Sequence, residues 1–401
     1  MKKRVIIAVG IITVIILIVI GMRIYNQYKV NHAVKMVELK TKEVEVFSKI
    51  RLKDLIKTIN GKLISNPLID TTKVKEQEIT FNYITDKNLT VPYTIRIKVI
   101  DKTPPIIYQP SSYTVIVNET TKKELEKSFF CGDNYDSNPE CTLEGDLDFN
   151  TPGEYQATFI GKDSSNNIST HPFILKVKEK NNNSTNISSN QSYTDFNSIL
   201  HDYKNKNNKI GIDISHWQGK IDFNKVKESG VEFVYIRVGR GNGIGKEYVL
   251  DDRFKEYIKG FNKAKIPVGI YFYSNANSKE DAKKEAKWVL SKIKKYQVDL
   301  EIVFDWENWN YFQEYDLSFY SLTEIAKTFI KTVEKEGYQG MLYSSKNYLE
   351  NIWFPLKSNI WLAHYTKKTD YEGSYKVWQI CNDGKVDGIN DNLVDIDIRY
   401  Y

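Results

Sequence analysis

The residues best equipped for chemistry lie in one short stretch, Glu301-Ile-Val-Phe-Asp-Trp-Glu307. An apolar core, Ile302 to Phe304, runs into two carboxylates, Asp305 and Glu307, with one residue between them. Alternate residues of an extended chain face the same side, so both acids project together. Carboxylates crowded at the end of a buried strand repel each other. Their pKa values then split, one group keeping its proton while the other stays anionic. That pair suits cleavage of a glycosidic bond, where the leaving oxygen needs a proton and the ring carbon gains positive charge.

The elements around this stretch are those of a barrel. From Ile210 to Tyr401, apolar runs at 210–214, 233–238, 268–272, 302–305, 340–343, 360–363, 376–380 and 394–398 read as strands. Amphipathic helices fall near 222–229, 251–264, 279–295, 321–336 and 345–353, the third with an N-cap pattern of Ser278 and Asp281. This alternation predicts a parallel α/β barrel of the TIM type, with chemistry at the carboxyl ends of its strands. The late connections are too short for helices, so the barrel should be irregular. Its strand ends carry Asp213, the Asp305/Glu307 pair, and Asp395 with Asp397 two residues on. Aromatic and amide residues end the other strands: Tyr271 and Tyr273, Tyr343, Trp361 with His364 and Tyr365, and Trp378 with Gln379. Pyranose rings stack on such faces while acids hold hydroxyl groups.

Gly211-Ile-Asp-Ile-Ser-His-Trp-Gln-Gly219, Val268-Gly-Ile-Tyr-Phe-Tyr273, Phe304-Asp-Trp-Glu307, Ile360-Trp-Leu-Ala-His-Tyr365, Trp378-Gln379 and Val394-Asp395 follow one another in order. In this ordered set the chain resembles glycoside hydrolase family 25, over residues 210–401. These are lysozymes (N-acetylmuramidases) that cut the β-1,4 bond after N-acetylmuramic acid in peptidoglycan. The resemblance implies an irregular barrel that works without metal or organic cofactor. It implies Glu307 as general acid and Asp305 as the carboxylate that stabilises the transition state or orients the acetamido group. Asp213 and Asp395 complete the acidic cluster, and Tyr271, Tyr273, Tyr343, Trp361, Tyr365 and Gln379 are the candidate sugar contacts. Where the family's last motif usually ends in Asn, this chain has Asp397; Asp395 is the favoured acid of the two. Trp306 is bulkier than is common there and is expected outside the barrel, under a helix.

Upstream of the barrel the character changes. Lys2 to Arg4 is basic and Val5 to Met22 is unbroken apolar chain, without the small residues of a cleavage site. It reads as a signal anchor at the lower length limit for a bilayer span, with residues 1–4 cytoplasmic and the rest outside. From 34 to 178 the pattern is period-two β, duplicated as 34–101 and 102–178, and it suits two small immunoglobulin-like sandwiches. Asp101-Lys-Thr-Pro-Pro, Pro152-Gly-Glu-Tyr and Asp163-Ser-Ser-Asn-Asn in the second copy resemble bacterial surface modules of that kind. Such modules are expected to act as spacers. Cys131 and Cys141 are a disulfide candidate in an exported chain, whereas Cys381 stands apart. Residues 179–209 are rich in Asn, Ser and Lys and read as a mostly flexible linker, interrupted by an apolar patch at Phe196-Asn-Ser-Ile-Leu200.

The formal charge of +6 over 401 residues is modest, with Lys scattered among acids. It points to no nucleic-acid partner, and no obligate protein partner is implied. Gly239-Arg-Gly-Asn-Gly-Ile-Gly245 lacks the third glycine of a dinucleotide fingerprint and reads instead as a loop over the barrel mouth, offering Arg240 to sugar. His216 reads as the partner of an acid. The sequence thus describes a multidomain, membrane-anchored wall hydrolase whose partner is peptidoglycan. A catalytically silent wall-binding or adhesion protein is the alternative.

Overall fold

A computed structural model describes residues 2–108, 112–180, 193–310, 312–389 and 392–401, with side chains from residue 10 onward. The chain divides into two units, Met1–Lys102 and Thr103–Tyr401.

The first unit opens with helix α1 (Lys2–Asn31). Its segment Gly10–Asn31 is the one helix among the described residues long and apolar enough to cross a membrane. Strands β1 (Val37–Leu39) and β2 (Glu43–Glu45), helix α2 (Leu52–Leu55), then β3 (Ile56–Ile59), β4 (Gly61–Leu63), β5 (Lys75–Thr85) and β6 (Thr90–Ile100) follow. They make a four-stranded sheet in the order β2-β6-β5-β4 and a small β1-β3 pair. Alternate residues of the β5/β6 hairpin, such as Phe81, Tyr83, Ile95 and Ile97, form the core with Leu52 and Leu55 of α2.

The second unit begins with the same sequence of elements: β7 (Ile106–Tyr108), β8 (Ser112–Ile116), α3 (Lys122–Ser128), β9 (Phe130–Gly132), β10 (Glu140–Glu144), β11 (Gly153–Lys162) and β12 (Ile168–Lys178). Its sheets run β8-β12-β11-β10 and β7-β9, matching the first set element for element. The β2/β6 and β8/β12 pairs are both parallel. Cys131 and Cys141 are bonded, with an S–S distance of 2.05 Å.

Residues 181–192 of the expected linker lie outside the described residues. The rest of that segment is corrected: β13 (Thr194–Asp195) pairs with a barrel strand, and α4 (Phe196–Tyr203) buries Phe196 and Ile199 in the barrel's core. The apolar patch seen in the sequence is the reason, since a free linker would leave it in water.

The barrel proper consists of β14 (Asn208–Ile214), β15 (Val234–Arg240), β17 (Val268–Tyr273), β18 (Ile302–Asp305), β19 (Gly340–Ser345), β20 (Asn359–Ala363), β21 (Val377–Lys385) and β22 (Val394–Tyr400). A short β16 (Val249–Leu250) pairs with β15, and the β21–β22 pairing closes the ring. Helices α5 (Phe223–Glu228), α6 (Phe254–Ala264), α7 (Lys279–Ile293), α8 (Phe319–Glu334) and α9 (Lys346–Asn351) lie between the earlier strands. The expectation of an all-parallel barrel is corrected at its last strand. β22 runs antiparallel to both neighbours, because the chain from Lys385 to Val394 has no room for a crossover helix.

The period-two rule decides which side chains enter the barrel. Ile212, Ile236, Ile270, Ile302, Phe304, Leu342, Leu362, Ile380, Ile396 and Ile398 belong to the outer core beneath the helices. Their odd-numbered neighbours Tyr235, Val303, Met341, Trp361 and Val377 form a separate inner cluster. Gly269 is needed in this arrangement, since a Cβ there would lie 2.2 Å from the Tyr235 ring.

Candidate active site

The same odd-numbered register carries the polar residues inward. Two residues beyond Val303 comes Asp305, and on β22 the inward series is Asp395, Asp397 and Arg399. At the carboxyl ends of the parallel strands Asp305 and Asp395 meet Asp213 and Glu307 in a cavity of about 240 Å³. Its aromatic and amide walls are Tyr271, Tyr273, Tyr343, Trp361 and Gln379. Tyr365 lies outside this lining. It reaches the site through Gln379, whose Oε1 accepts from both Tyr343 and Tyr365 at 2.9 Å while its Nε2 donates to Asp213 Oδ2 at 2.8 Å. Tyr365 lines an adjoining cavity of about 420 Å³ instead, and Glu307 and Tyr343 border both spaces.

The electrostatics follow from crowding. Asp213 and Asp305 are 5 % exposed and Asp397 is fully buried. Burial pushes Asp213 well above the usual carboxylate range, and the charges of Asp395 and Asp397 push it further. Burial and then Glu307 do the same to Asp305, against the opposing charge of Arg237. Asp395 is raised to about 6 by burial, tempered by a hydrogen bond with Asp213 that requires a proton on one of the two. Glu307 remains open along the cavity mouth. Crowding by protein atoms still raises its pKa, the polar Tyr343 hydroxyl beside it opposes this and the charge of Asp395 adds to it. Asp305 Oδ1 is buried without a hydrogen-bond partner among the described residues.

Asp395 borders the cavity, whereas Asp397 sits behind it and accepts from Trp361 Nε1 at 2.8 Å. Trp306 lies outside the barrel, against the 3-10 helix Phe312–Tyr315, with its indole N–H donating to Ala276 O at 3.2 Å. Arg240 stays at the surface beside Asn242 and does not line the cavity.

The cavity's cation is Arg237, which the sequence reading did not single out. A lone Arg within a strand looks like surface. Only the inward alternation after Tyr235 marks it as interior. Arg237 donates to the buried Asp251 at 3.0 Å through Nε, and its Nη2 lies 2.5 Å from His216 Nδ1. His216 thus partners Asp251 rather than any of the four acids. In the sequence Trp217 is marked only by its place in the first motif. It stands 67 % exposed at the rim of the cavity, with its ring against His216.

Residues 212–389 match the family model described as glycosyl hydrolases family 25. The autolytic lysozyme of Clostridium acetobutylicum is 30 % identical over 183 residues, which are 45 % of this chain and 52 % of that protein. Lysozyme M1 of Streptomyces globisporus is 39 % identical over 69 residues, 17 % of this chain and 21 % of that protein. The chain therefore spans about half of the first relative and about a fifth of the second. Among solved structures, a family 25 glycosyl hydrolase from Bacillus anthracis aligns with a TM-score of 0.44 at 20 % identity, covering 53 % of this chain and 95 % of that one.

Proposed function

We propose that this chain, which carries a glycosyl hydrolases family 25 domain over residues 212–389, is a peptidoglycan hydrolase of the muramidase type. The observation that carries this is the convergence of Asp213, Asp305, Glu307 and Asp395 on one cavity walled by Tyr and Trp. Glu307 is the general acid. Its raised pKa keeps a proton available, and its position between two adjoining cavities suits a bond whose halves lie on either side. Asp305 Oδ1 is available to accept the acetamido N–H of the sugar. Asp213 is held by Gln379 and supports the acidic field with Asp395. The tyrosines and Trp361 form the sugar-facing wall, and exposed Trp217 offers a stacking face at the entrance.

Helix α1 acts as a membrane anchor in this reading, with the domains after it facing the cell wall. The two β units are read as immunoglobulin-like modules, and the barrel as an irregular TIM-like one. Mass spectrometry of the fragments released from purified peptidoglycan tests the activity. New reducing ends on N-acetylmuramic acid are expected. Intact glycan strands, or new reducing ends on N-acetylglucosamine, would refute it.

A further inference from the structure

The second β module holds a surface that a spacer does not need. Along β9 the period-two rule sends neighbouring side chains to opposite sides. Phe129 and Cys131 join the module's own core, where the Phe129 ring meets Phe159 and Phe173 edge-on at 5.0 and 5.6 Å. Phe130 instead belongs to the barrel's outer core and is 4 % exposed. Its ring lies 5.1 Å from Phe312 and 6.0 Å each from Trp309 and Phe319. Those rings belong to the segment that leaves β18 with Glu307 and ends at α8. Trp306, the residue between Asp305 and Glu307, packs edge-on against Trp309 at 4.9 Å and Phe312 at 5.7 Å.

The backbone is joined as well. The first N–H groups of α8 have no partners within their own helix; Phe319 N donates to Asp133 O at 2.8 Å and Tyr320 N to Asn134 O at 3.3 Å. Gln313 Nε2 donates to Phe129 O at 3.2 Å. Gly132 makes this closeness possible, because a Cβ there would lie 2.7 Å from the Phe319 ring and 2.8 Å from the Phe312 ring. Both ends of the acid-bearing segment are thus tied down, at Ser274 O by Asn308 (2.8 Å) and at α8 by the module.

We propose that the second β module is a working part of the active site, with Phe130 as a positioning residue for the segment that carries Glu307. Phe130 supports Phe312 and Trp309, these support Trp306, and Trp306 fixes the backbone from which Asp305 and Glu307 project. Displacement of a general acid by a fraction of an ångström lowers proton transfer to a poor leaving group far more than sugar binding.

This inference rests on the muramidase reading, and the test separates the two. Full-length Phe130→Ala, Gly132→Ala and Phe130→Leu chains are assayed on purified peptidoglycan and on a dinitrophenyl β-glycoside of the N-acetylglucosamine–N-acetylmuramic acid disaccharide. The dinitrophenolate leaves without protonation, so the ratio of the two rates reports acid assistance. Both rates come from one preparation, so the folded fraction cancels. Phe130→Ala and Gly132→Ala are expected to lower the ratio about tenfold, by removing the support and by wedging it apart. Phe130→Leu should restore it to within about threefold. An unchanged ratio in the Ala variants, with the parent chain active on walls, overturns the inference alone. A parent chain with no activity on walls overturns the muramidase reading and this inference with it.

Discussion

The two ends of the barrel interior are built from the same residue types and do opposite things. At the amino end of the parallel strands, Glu301 is 1 % exposed and fully paired. It accepts from Arg399 at 2.7 and 3.0 Å and from Tyr235 at 2.7 Å, and Lys376 lies 3.0 Å away. Burial alone would raise its pKa, but the hydrogen bonds and charge of Arg399, with Tyr235 and Lys376, bring it down to about 2. At the carboxyl end, Asp213, Asp305, Glu307 and Asp395 share one lining cation among the described residues, Arg237, which is itself bound to Asp251. There burial and mutual repulsion win, and all four are raised. One end spends its charges on holding the barrel together. The other keeps protons where a reaction can use them.

The largest effect that would break this contrast is on turnover. Glu307→Gln keeps the shape and removes the proton, so release of reducing ends should fall by roughly a thousandfold or more, with the melting temperature held or raised. Next comes its counterpart at the other end. Glu301→Gln leaves Arg399 buried without its anion, which should cost about 3–5 kcal/mol in denaturant unfolding while turnover per folded molecule changes less than about twofold. Asp213→Asn lies between the two in kind. It relieves repulsion, so stability should hold or rise by about 1 kcal/mol, while activity falls about a hundredfold because the amide can still accept from Gln379 but no longer carries the acid's charge or proton.

The smallest effect sharpens the contrast through pH. Glu301, lowered to about 2 from an unfolded value of about 4.3, contributes stability above about pH 4.3 that is lost as pH falls through 2. Asp395, raised to about 6 from about 3.9, contributes stability that is complete below about pH 3.9 and lost as pH rises through 6. Together these two contributions make unfolding free energy peak near about pH 4, falling on the acid side through Glu301 and between about pH 4 and 6 through Asp395. Asp395→Asn should flatten the limb between about pH 4 and 6, and Glu301→Gln the limb between about pH 2 and 4, by up to roughly 1.4 kcal/mol per pH unit in each window. A stability curve with the same limbs in both variants would count against this assignment.

Much of the site was legible because alternation in a strand is a one-dimensional rule. Once Ile302 and Phe304 read as core, Val303 and Asp305 had to face the other way, and the same holds for Asp213 beside Ile212 and Ile214. What stayed hidden depends on contacts between distant segments. Phe129 and Phe130 are identical in type and adjacent, and nothing local says that one belongs to the module and the other to the barrel. Glu301 precedes its strand and reads as an ordinary surface acid until Arg399 and Lys376 are brought beside it. The direction of β22 is absent from its own pattern, which is the same whichever way the strand runs, and only the short connection from Lys385 to Val394 signals it.

The central assignment is that Glu307 holds the proton delivered to the leaving oxygen. Its most direct test is the rate of reducing-end release from purified peptidoglycan by Glu307→Gln and parent chains matched for folded protein by thermal unfolding. Less than about a thousandth of the parent rate, at an unchanged or higher melting temperature, is expected. A rate within about tenfold of the parent would contradict it.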